Sequence, residues 1–324
     1  MTTEEQGEQA GAGAGSDPGQ PVRAWRFAHA SVVGSSHVKN GTPCQDASAC
    51  SLVEQAGAAC LVAVVSDGAG SAPLSQIGSR TACEVVLEET RAALAYGAGL
   101  EALDRGFALG VIERLRVRIA RVARHADRPV RDFACTLLFA VADAHGAVFA
   151  QIGDGAIVVA PSASSSSSAA LAEDARASDG YAWVFWPEQG EYLNQTCFAT
   201  EARAHEHLQY ESWNLPIDEL ALFSDGLQGL VLDSRKRRAH ARFFEPMFVA
   251  VRWAGPGRSE ALGRALEGFL GSRAISSRTD DDKSLVLASR RAPEPRPVRP
   301  APLASPRVAV TAVLPRELRE GRAP

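Results

Sequence analysis

The order of the predicted secondary structure is the feature that most constrains the fold of this chain. Apolar, β-branched runs predict strands, and apolar residues spaced three or four positions apart predict two early helices and two late ones. Because strands follow one another directly, antiparallel sheets are favoured over a doubly wound parallel sheet, and the helix pairs are available to cover the sheet faces. We therefore predict an α+β fold. The predicted strands lie near 25–33, 47–53, 59–66, 135–143, 147–152, 155–160, 181–186, 219–224 and 284–288, and the predicted helices near 74–96, 107–126, 239–253 and 258–272.

Composition divides the chain into a leader, a body and a tail. Residues 1–22 are rich in Glu, Gly and Ala and predict a disordered leader, whereas the Pro- and Arg-rich residues 290–324 predict a disordered tail. The body, residues 23–289, is predicted to be one domain. Within it, the Ser- and Ala-rich stretch 161–180 predicts a low-complexity surface loop.

Charge and cysteine usage argue against several classes of function. The net charge is -4, but residues 290–324 carry eight arginines and three acidic residues, so the rest of the chain carries -9. An acidic body is atypical of a protein that binds nucleic acid. No apolar run approaches the roughly 18 residues of a membrane span, and no secretory signal is evident. The six cysteines form no CxxC pair, so we expect the protein to reside in a reducing cytoplasm.

Five aspartates follow or precede predicted strands, and four of them adjoin a glycine or another aspartate. Carboxylate oxygens are the ligands that Mg²⁺ and Mn²⁺ prefer, so convergence at one sheet edge would suggest a metal-dependent hydrolase. Taken singly, each motif has a simpler interpretation, since Asp-Gly between strands is typical of a hairpin turn and Asp before a helix is typical of a cap. The five are Asp46, Asp67, Asp154, Asp225 and Asp281.

Together, the order and strand context of these motifs match a known pattern. The motifs are D-G-x-G at Asp67-Gly68-Ala69-Gly70, G-D-[SG] at Gly153-Asp154-Gly155, S-D-G at Ser224-Asp225-Gly226, D-[ND]-x-[ST] at Asp281-Asp282-Lys283-Ser284, and N-E-D at Cys44-Gln45-Asp46, with Thr136 before the central strand. This set resembles the PPM family of metal-dependent protein phosphatases, the type 2C serine/threonine phosphatases. The bacterial branch, with G-x-x-H and P-C-Q-D near its start, is the most similar.

The resemblance implies a fold, an activity, cofactors and partners. The fold would be a four-layer α-β-β-α sandwich with two central, mostly antiparallel sheets flanked by helix pairs. The activity would be hydrolysis of phosphoserine and phosphothreonine in proteins by a hydroxide that two Mn²⁺ or Mg²⁺ ions activate, which reverses kinase signalling. A phosphoprotein substrate of a Ser/Thr kinase would be the partner. We expect a cytoplasmic monomer that binds neither nucleic acid nor membrane.

Carried over by position, the family pattern assigns a role to each aspartate. Asp67 and the Gly68 carbonyl would bind both central ions, and Asp46, Asp225 and Asp281 would complete the pair. Asp154 would hold a looser third ion with Asp225. Asp46, Asp67, Asp225 and Asp281 are accordingly the expected catalytic residues. The choice of Asp281 over Asp282 depends on the alignment to Ser284.

Three departures from the family pattern bear on activity. The phosphate-binding Arg is replaced, with His37 as the equivalent and Lys39 as the other candidate. Gln45 stands where Glu is usual, and Ala69 stands where some relatives carry a general-acid His, so a metal-bound water near Asp154 is the expected donor. These changes leave open a pseudophosphatase that keeps the fold without turnover.

Two further expectations follow from the resemblance. Residues 187–215 occupy the family's variable flap position, where substrate choice is often made. No Cys-x5-Arg loop of a cysteine phosphatase is present, so Cys44 is expected to pack rather than to react.

Overall fold

The computed structural model describes residues 23–55, 58–95, 97–162, 177–187 and 196–293. All of these except Pro293 fall within a unit that ends at Ala292. The predicted leader, 1–22, lies outside the described residues. So do 163–176 of the predicted loop, 188–195 of the predicted flap and 294–324 of the predicted tail.

The helices and strands are numbered in chain order within the described residues. The strands are β1 (Arg26–Val32), β2 (Ala47–Gln55), β3 (Ala58–Ser66), β4 (Leu137–Ala142), β5 (Ala147–Ile152), β6 (Ala156–Pro161), β7 (Ala177–Ser178), β8 (Tyr181–Trp183), β9 (Gln209–Trp213), β10 (Ile217–Phe223), β11 (Leu232–Asp233), β12 (Arg238–Ala239), β13 (Gly257–Arg258) and β14 (Lys283–Ser289). The helices are α1 (Ser35–Asn40), α2 (Ser75–Leu94), α3 (Arg105–His125), α4 (Gln228–Val231), α5 (Ala241–Arg252), α6 (Glu260–Leu270) and α7 (Arg273–Ser276).

Two large sheets carry the fold. The five-stranded sheet has the order β2-β3-β4-β5-β9 and is antiparallel throughout. The seven-stranded sheet has the order β13-β1-β14-β10-β6-β8-β7, and its only parallel pair among the described strands is β1 with β13. The short strands β11 and β12 pair separately.

Alternate residues of the central strands enter different apolar layers. In β3, Val62 and Val64 pack under α2 and α3, whereas Leu61 faces the second sheet. Phe244 of α5 and Leu266 of α6 cover the outer face of the seven-stranded sheet. Because strands buried on both faces need apolar residues at every position, they read as unbroken apolar runs. The predicted four-layer α+β sandwich is confirmed.

The structure corrects two predicted boundaries. The predicted flap extends too far, because Gln209–Trp213 form β9 and pair with β5 at the edge of the five-stranded sheet. The predicted tail begins too early, because Arg290 is buried and its Nη1 donates to the Asp143 carbonyl over 2.8 Å. Within the described residues, none of the helices combines the length and the apolar character needed to cross a bilayer.

Candidate metal centre and active site

Strand register brings the predicted aspartates to one edge of the sandwich. Ala47 at the start of β2 pairs with Ser66 at the end of β3, so Asp46 and Asp67 leave the five-stranded sheet side by side. In the other sheet, the last residue of β10 pairs with the third residue of β14, which places Asp225 beside residues 281–284.

The segment Gly153-Asp154-Gly155 crosses from one sheet to the other. Strand β5 belongs to the five-stranded sheet and β6 to the seven-stranded sheet, so the hairpin interpretation of this Asp-Gly pair is wrong. Gly153 has φ +112°, and a Cβ there would lie 2.5 Å from Cγ2 of Thr136. The buried Gln151 amide donates to the carbonyls of Gly153 and Gly155 over 3.1 and 3.0 Å, which holds the crossing in place.

Carboxylates from both sheets converge at this edge. One oxygen from each of Asp67, Asp154 and Asp225 lies within 4.8 Å of the other two. The Asp46 and Asp67 carboxyls lie close enough together that each affects the pKa of the other. Asp281 is exposed at the rim, and its negative charge acts on Asp225. The five predicted side chains therefore occupy one region.

Backbone contacts fix the position of Asp67. Its N–H donates to Oγ1 of Thr136 over 2.9 Å, and the Thr136 N–H donates to the Asp67 carbonyl over 2.8 Å. Gly68 then forms a bridge with Cys135. A Cβ at Gly68 would lie 2.6 Å from the Gln45 carbonyl oxygen, so the close approach of these segments requires glycine.

Asp282 has a different role from Asp281. Its side chain is 2% exposed, and its two oxygens accept the backbone N–H groups of Gly34 and Gln45 over 2.6 and 2.5 Å. His37 Nδ1 also lies 2.9 Å from Asp282 Oδ2. Asp282 thus anchors the loop before β2, which leaves Asp281 as the residue available at the rim.

The two predicted phosphate-binding residues lie on α1 and not among the carboxylates. His37 is largely buried against Asp282, and Lys39 is exposed. Gln45 also turns away from the carboxylates, since its Nε2 donates to the Ala72 carbonyl over 3.0 Å. The phosphate-binding role of His37 or Lys39 stays a prediction.

Burial and mutual repulsion shape the electrostatics of the centre. Burial raises the pKa of Asp46 to about 7, and the charge of Asp282 adds to the effect. Burial and then the Asp154 charge raise the pKa of Asp225 to about 6. Burial and then the Asp46 charge hold the pKa of Asp67 well above its usual range. Protons are favoured here because burial and the neighbouring carboxylate charges both disfavour ionisation.

The centre fits a hard divalent cation. Oδ1 of Asp46 and Oδ1 of Asp154 are buried and have no hydrogen-bond partner within the described part of the chain. An unpaired buried carboxylate oxygen is costly, and a cation would satisfy it. The donor set is made of oxygen atoms, which suits Mg²⁺ or Mn²⁺ rather than a soft metal.

The Cys44 thiol beside the carboxylates is not suited to act as a nucleophile. Burial, with the charges of Asp282 and Asp46, raises the pKa of the half-buried Cys44 thiol to about 12. A thiol must ionise to react as a nucleophile, so Cys44 remains inert near neutral pH. Ala69 is buried, and its backbone N–H donates to Ala134 over 2.9 Å.

Two contacts at the centre were not predicted from the sequence. Thr196 Oγ1 donates to Asp154 Oδ2 over 2.7 Å, and Ser224 Oγ donates to Asp46 Oδ2 over 2.7 Å. The S-D-G motif could have drawn attention to Ser224. Thr196 carries no comparable signal, because it is distant from Asp154 in sequence and lies in no recognisable motif.

Comparison with known proteins agrees with this geometry. Residues 33–267 match the family described as Protein phosphatase 2C. The chain is 33% identical over 271 residues to Serine/threonine-protein phosphatase 3 of Escherichia coli (strain K12), a match that covers 82% of this chain and 98% of that protein. The chain therefore belongs to the protein phosphatase 2C family. It is a protein phosphatase, a hydrolase that acts on phosphoproteins.

The fold is shared with a solved structure. A C. elegans sex determining protein aligns with a TM-score of 0.50 at 17% identity, covering 83% of this chain and 66% of that one. Serine/threonine phosphatase Stp1 from Staphylococcus aureus aligns with a TM-score of 0.48 at 14% identity, covering 86% and 98%.

Proposed function

We propose that this phosphatase hydrolyses phosphoserine and phosphothreonine in proteins with two bound divalent cations, Mn²⁺ or Mg²⁺. The observation that carries the proposal is the convergence of Asp67, Asp154 and Asp225 oxygens within 4.8 Å, at the strand-end motifs of a metal-dependent family. The name of the E. coli relative supports serine/threonine specificity. The substrate would be the product of a Ser/Thr kinase.

The chain's own residues divide the work of holding the ions. Asp67 lies close to both Asp46 and Asp225, which suits it to be shared between two cations. The Gly68 carbonyl and Asp281 would complete this pair, and Asp154 with Asp225 would hold a third, looser ion. When bound, such ions activate a water molecule and offset the negative charge on the phosphoryl oxygens.

Residues near the centre would bind the substrate phosphate and exclude competing chemistry. His37 is held by its contact with Asp282 and would interact with the phosphate, with Lys39 as the alternative. Because Cys44 stays protonated, a route through a phosphocysteine is disfavoured. Since Ala69 has no proton to give, the leaving oxygen would take its proton from water near Asp154.

Turnover of p-nitrophenyl phosphate and of a phosphothreonine peptide with Mn²⁺ tests the proposal. We expect Asp67→Asn and Asp225→Ala to lower kcat at least about 100-fold. Removing a residue that only hydrogen-bonds to a metal ligand costs up to about 100-fold, and these two residues are proposed as ligands themselves. Their circular dichroism spectra should match the wild type. Asp127→Asn is the matched control, because Asp127 is exposed at φ 50°, where asparagine is also tolerated.

Two outcomes would contradict the proposal. A near wild-type rate in Asp225→Ala would exclude Asp225 as a shared ligand. Absence of turnover with every divalent cation tried, in a folded wild-type protein, would exclude the activity itself.

A further inference from the structure

A chain of hydroxyl groups crosses the space between the two sheets and leads to Asp46. Ser31 Oγ of β1 lies 2.6 Å from Ser284 Oγ of β14 and 2.9 Å from Ser48 Oγ of β2. His29 Nδ1 of β1 lies 3.2 Å from Ser48 Oγ at the far end. At the near end, the Ser284 hydroxyl lies close enough to the Asp46 carboxyl to stabilise its ionised form.

These serines lie on strand faces whose neighbouring residues are apolar, with Ser284 fully buried and Ser31 and Ser48 partly buried. Alternate residues of a strand share a face, and the neighbours on the same faces are Phe27, Cys50 and Val286, all in the apolar cluster between the sheets. A polar group in such a layer is costly unless it is hydrogen-bonded. A serine chain here therefore calls for a reason other than packing.

The contacts at Asp46 supply that reason. Ser224 Oγ donates to Asp46 Oδ2 over 2.7 Å and accepts the Ser284 backbone N–H over 2.9 Å. Ser224 and Ser284 are both fully buried. Asp46 Oδ1 has no hydrogen-bond partner among the residues that the structure describes. Ser224 therefore engages one oxygen of the carboxylate, and the other oxygen stays available to a cation.

Hydrogen-bond chemistry gives the chain a direction. An ionised carboxylate only accepts hydrogen bonds, so the Ser284 hydroxyl turns its proton toward the nearby Asp46 carboxylate. Ser31 then donates to Ser284, Ser48 donates to Ser31, and His29 donates from Nδ1. Each hydroxyl has one proton to give and one to accept, so every member is satisfied. Aligned hydrogen bonds polarise and strengthen one another in a low-dielectric interior.

We propose that Ser31, Ser48, Ser224 and Ser284 are positioning residues that hold Asp46 in the orientation needed to bind a cation. The inference rests on the proposed metal-dependent function. None of the four serines is assigned to touch the substrate. Groups that support metal ligands in this way typically contribute about 10–100-fold to metal affinity.

Calorimetric titration of the metal-free protein with Mn²⁺ tests the proposal without relying on activity. We expect Ser284→Ala to weaken Mn²⁺ binding about 10–100-fold, and Ser31→Ala and Ser48→Ala to weaken it by smaller factors with distance along the chain. Ser51→Ala is the matched control, since Ser51 also lies on β2 and its buried Oγ has no hydrogen-bond partner in the described structure. Its Mn²⁺ affinity should equal that of the wild type.

Rescue separates positioning from general stability. Ser284→Thr keeps the hydroxyl and should recover most of the lost affinity, and saturating Mn²⁺ should restore most of kcat in Ser284→Ala. If Ser284→Ala does not fold, Ser31→Ala and Ser284→Thr decide the question, because they change the chain less at Asp46.

The two failures are distinguishable. An active, Mn²⁺-binding wild type whose serine variants all bind like Ser51→Ala would overturn the positioning role alone. A folded wild type that binds no Mn²⁺ would instead overturn the proposed function.

Discussion

At the scale of a single residue, the contacts of position 45 explain why it is Gln, where the family usually has Glu. The buried Gln45 side chain donates from Nε2 to the Ala72 carbonyl over 3.0 Å. The backbone carbonyl of Gln45 accepts from Ser79 Oγ over 2.5 Å. The side chain therefore supports the loop after Asp67, a task that requires a donor.

We expect Gln45→Glu to destabilise the protein. The carboxylate could not donate to Ala72 and would bury a negative charge close to Asp282. The free energy of unfolding should fall by about 1–3 kcal/mol, measured by urea denaturation of the metal-free protein. Gln45→Met, which loses the hydrogen bond without adding charge, should cost less. An unchanged urea midpoint in Gln45→Glu would contradict this role.

At the scale of an element, the crossing between β5 and β6 depends on Gly153. Alanine there would be strained at φ +112°, and its Cβ would be forced against Thr136. We expect Gly153→Ala to lower the free energy of unfolding by about 1–3 kcal/mol, the range for strained backbone conformations. It should also weaken Mn²⁺ binding, because Asp154 would shift.

The same substitution in a helix should have the opposite effect. Gly110 lies exposed in α3, and a Cβ there would meet nothing within 4 Å. Gly110→Ala should stabilise the protein by about 0.5–1 kcal/mol, because alanine is the better helix former. Equal thermal stability of the two variants would show that the crossing tolerates a side chain.

At the scale of the whole molecule, the carboxylate centre links stability, pH and metal. In the metal-free protein the raised pKa values of Asp46, about 7, and Asp225, about 6, mean that the folded state binds extra protons. These protons stabilise the folded state. Their contribution is complete below the carboxyl pKa of the unfolded chain, roughly 4, and is lost as pH rises through the folded-state pKa values of about 6 to 7.

Cations compete with these protons for the carboxylates, so metal binding should strengthen as pH rises. We expect the dissociation constant for Mn²⁺ to be at least about tenfold larger near pH 5.5 than near pH 7.5. The Mn²⁺-induced rise in Tm should be larger at the higher pH. Calorimetry and thermal unfolding at both pH values check this, and a pH-independent affinity would show that the centre is not the binding site.

The folded body also depends on residues just beyond the last strand. Arg290 Nε lies 3.5 Å from Asp218 Oδ1, and its guanidinium lies 5.6 Å from the Trp25 ring centroid. Arg291 Nη1 lies 3.6 Å from the fully buried Glu219. These contacts hold the end of β14 against the start of β10.

Truncated chains test where the folded body ends. A chain that ends at Ser289 should lose about 3 kcal/mol or more of unfolding free energy, because Asp218 would be left with its exposed partner Arg23. A chain that ends at Ala292 should unfold like the full-length protein. Equal Tm values for the two truncated chains would refute the role of Arg290 and Arg291.

Local sequence patterns predicted much of the fold and of the candidate site. Strands such as β3 and β14 are buried on both faces, so their apolar runs are visible without knowledge of their neighbours. Asp67, Asp154 and Asp225 stand out because each adjoins a strand end and a glycine. Strand β9 was missed because Gln209–Trp213 is a half-buried edge strand with a largely polar sequence.

The sequence alone determined most of the strands and helices and the carboxylates that end them, since these depend on neighbours a few positions away. Only the tertiary structure decided that Gly153-Asp154-Gly155 joins two sheets instead of turning a hairpin, and that Asp282 anchors a loop while Asp281 stays at the rim. The serine chain to Asp46 likewise joins three strands from both sheets. Such contacts depend on strand pairing and sheet packing over long sequence separations, which no local pattern records.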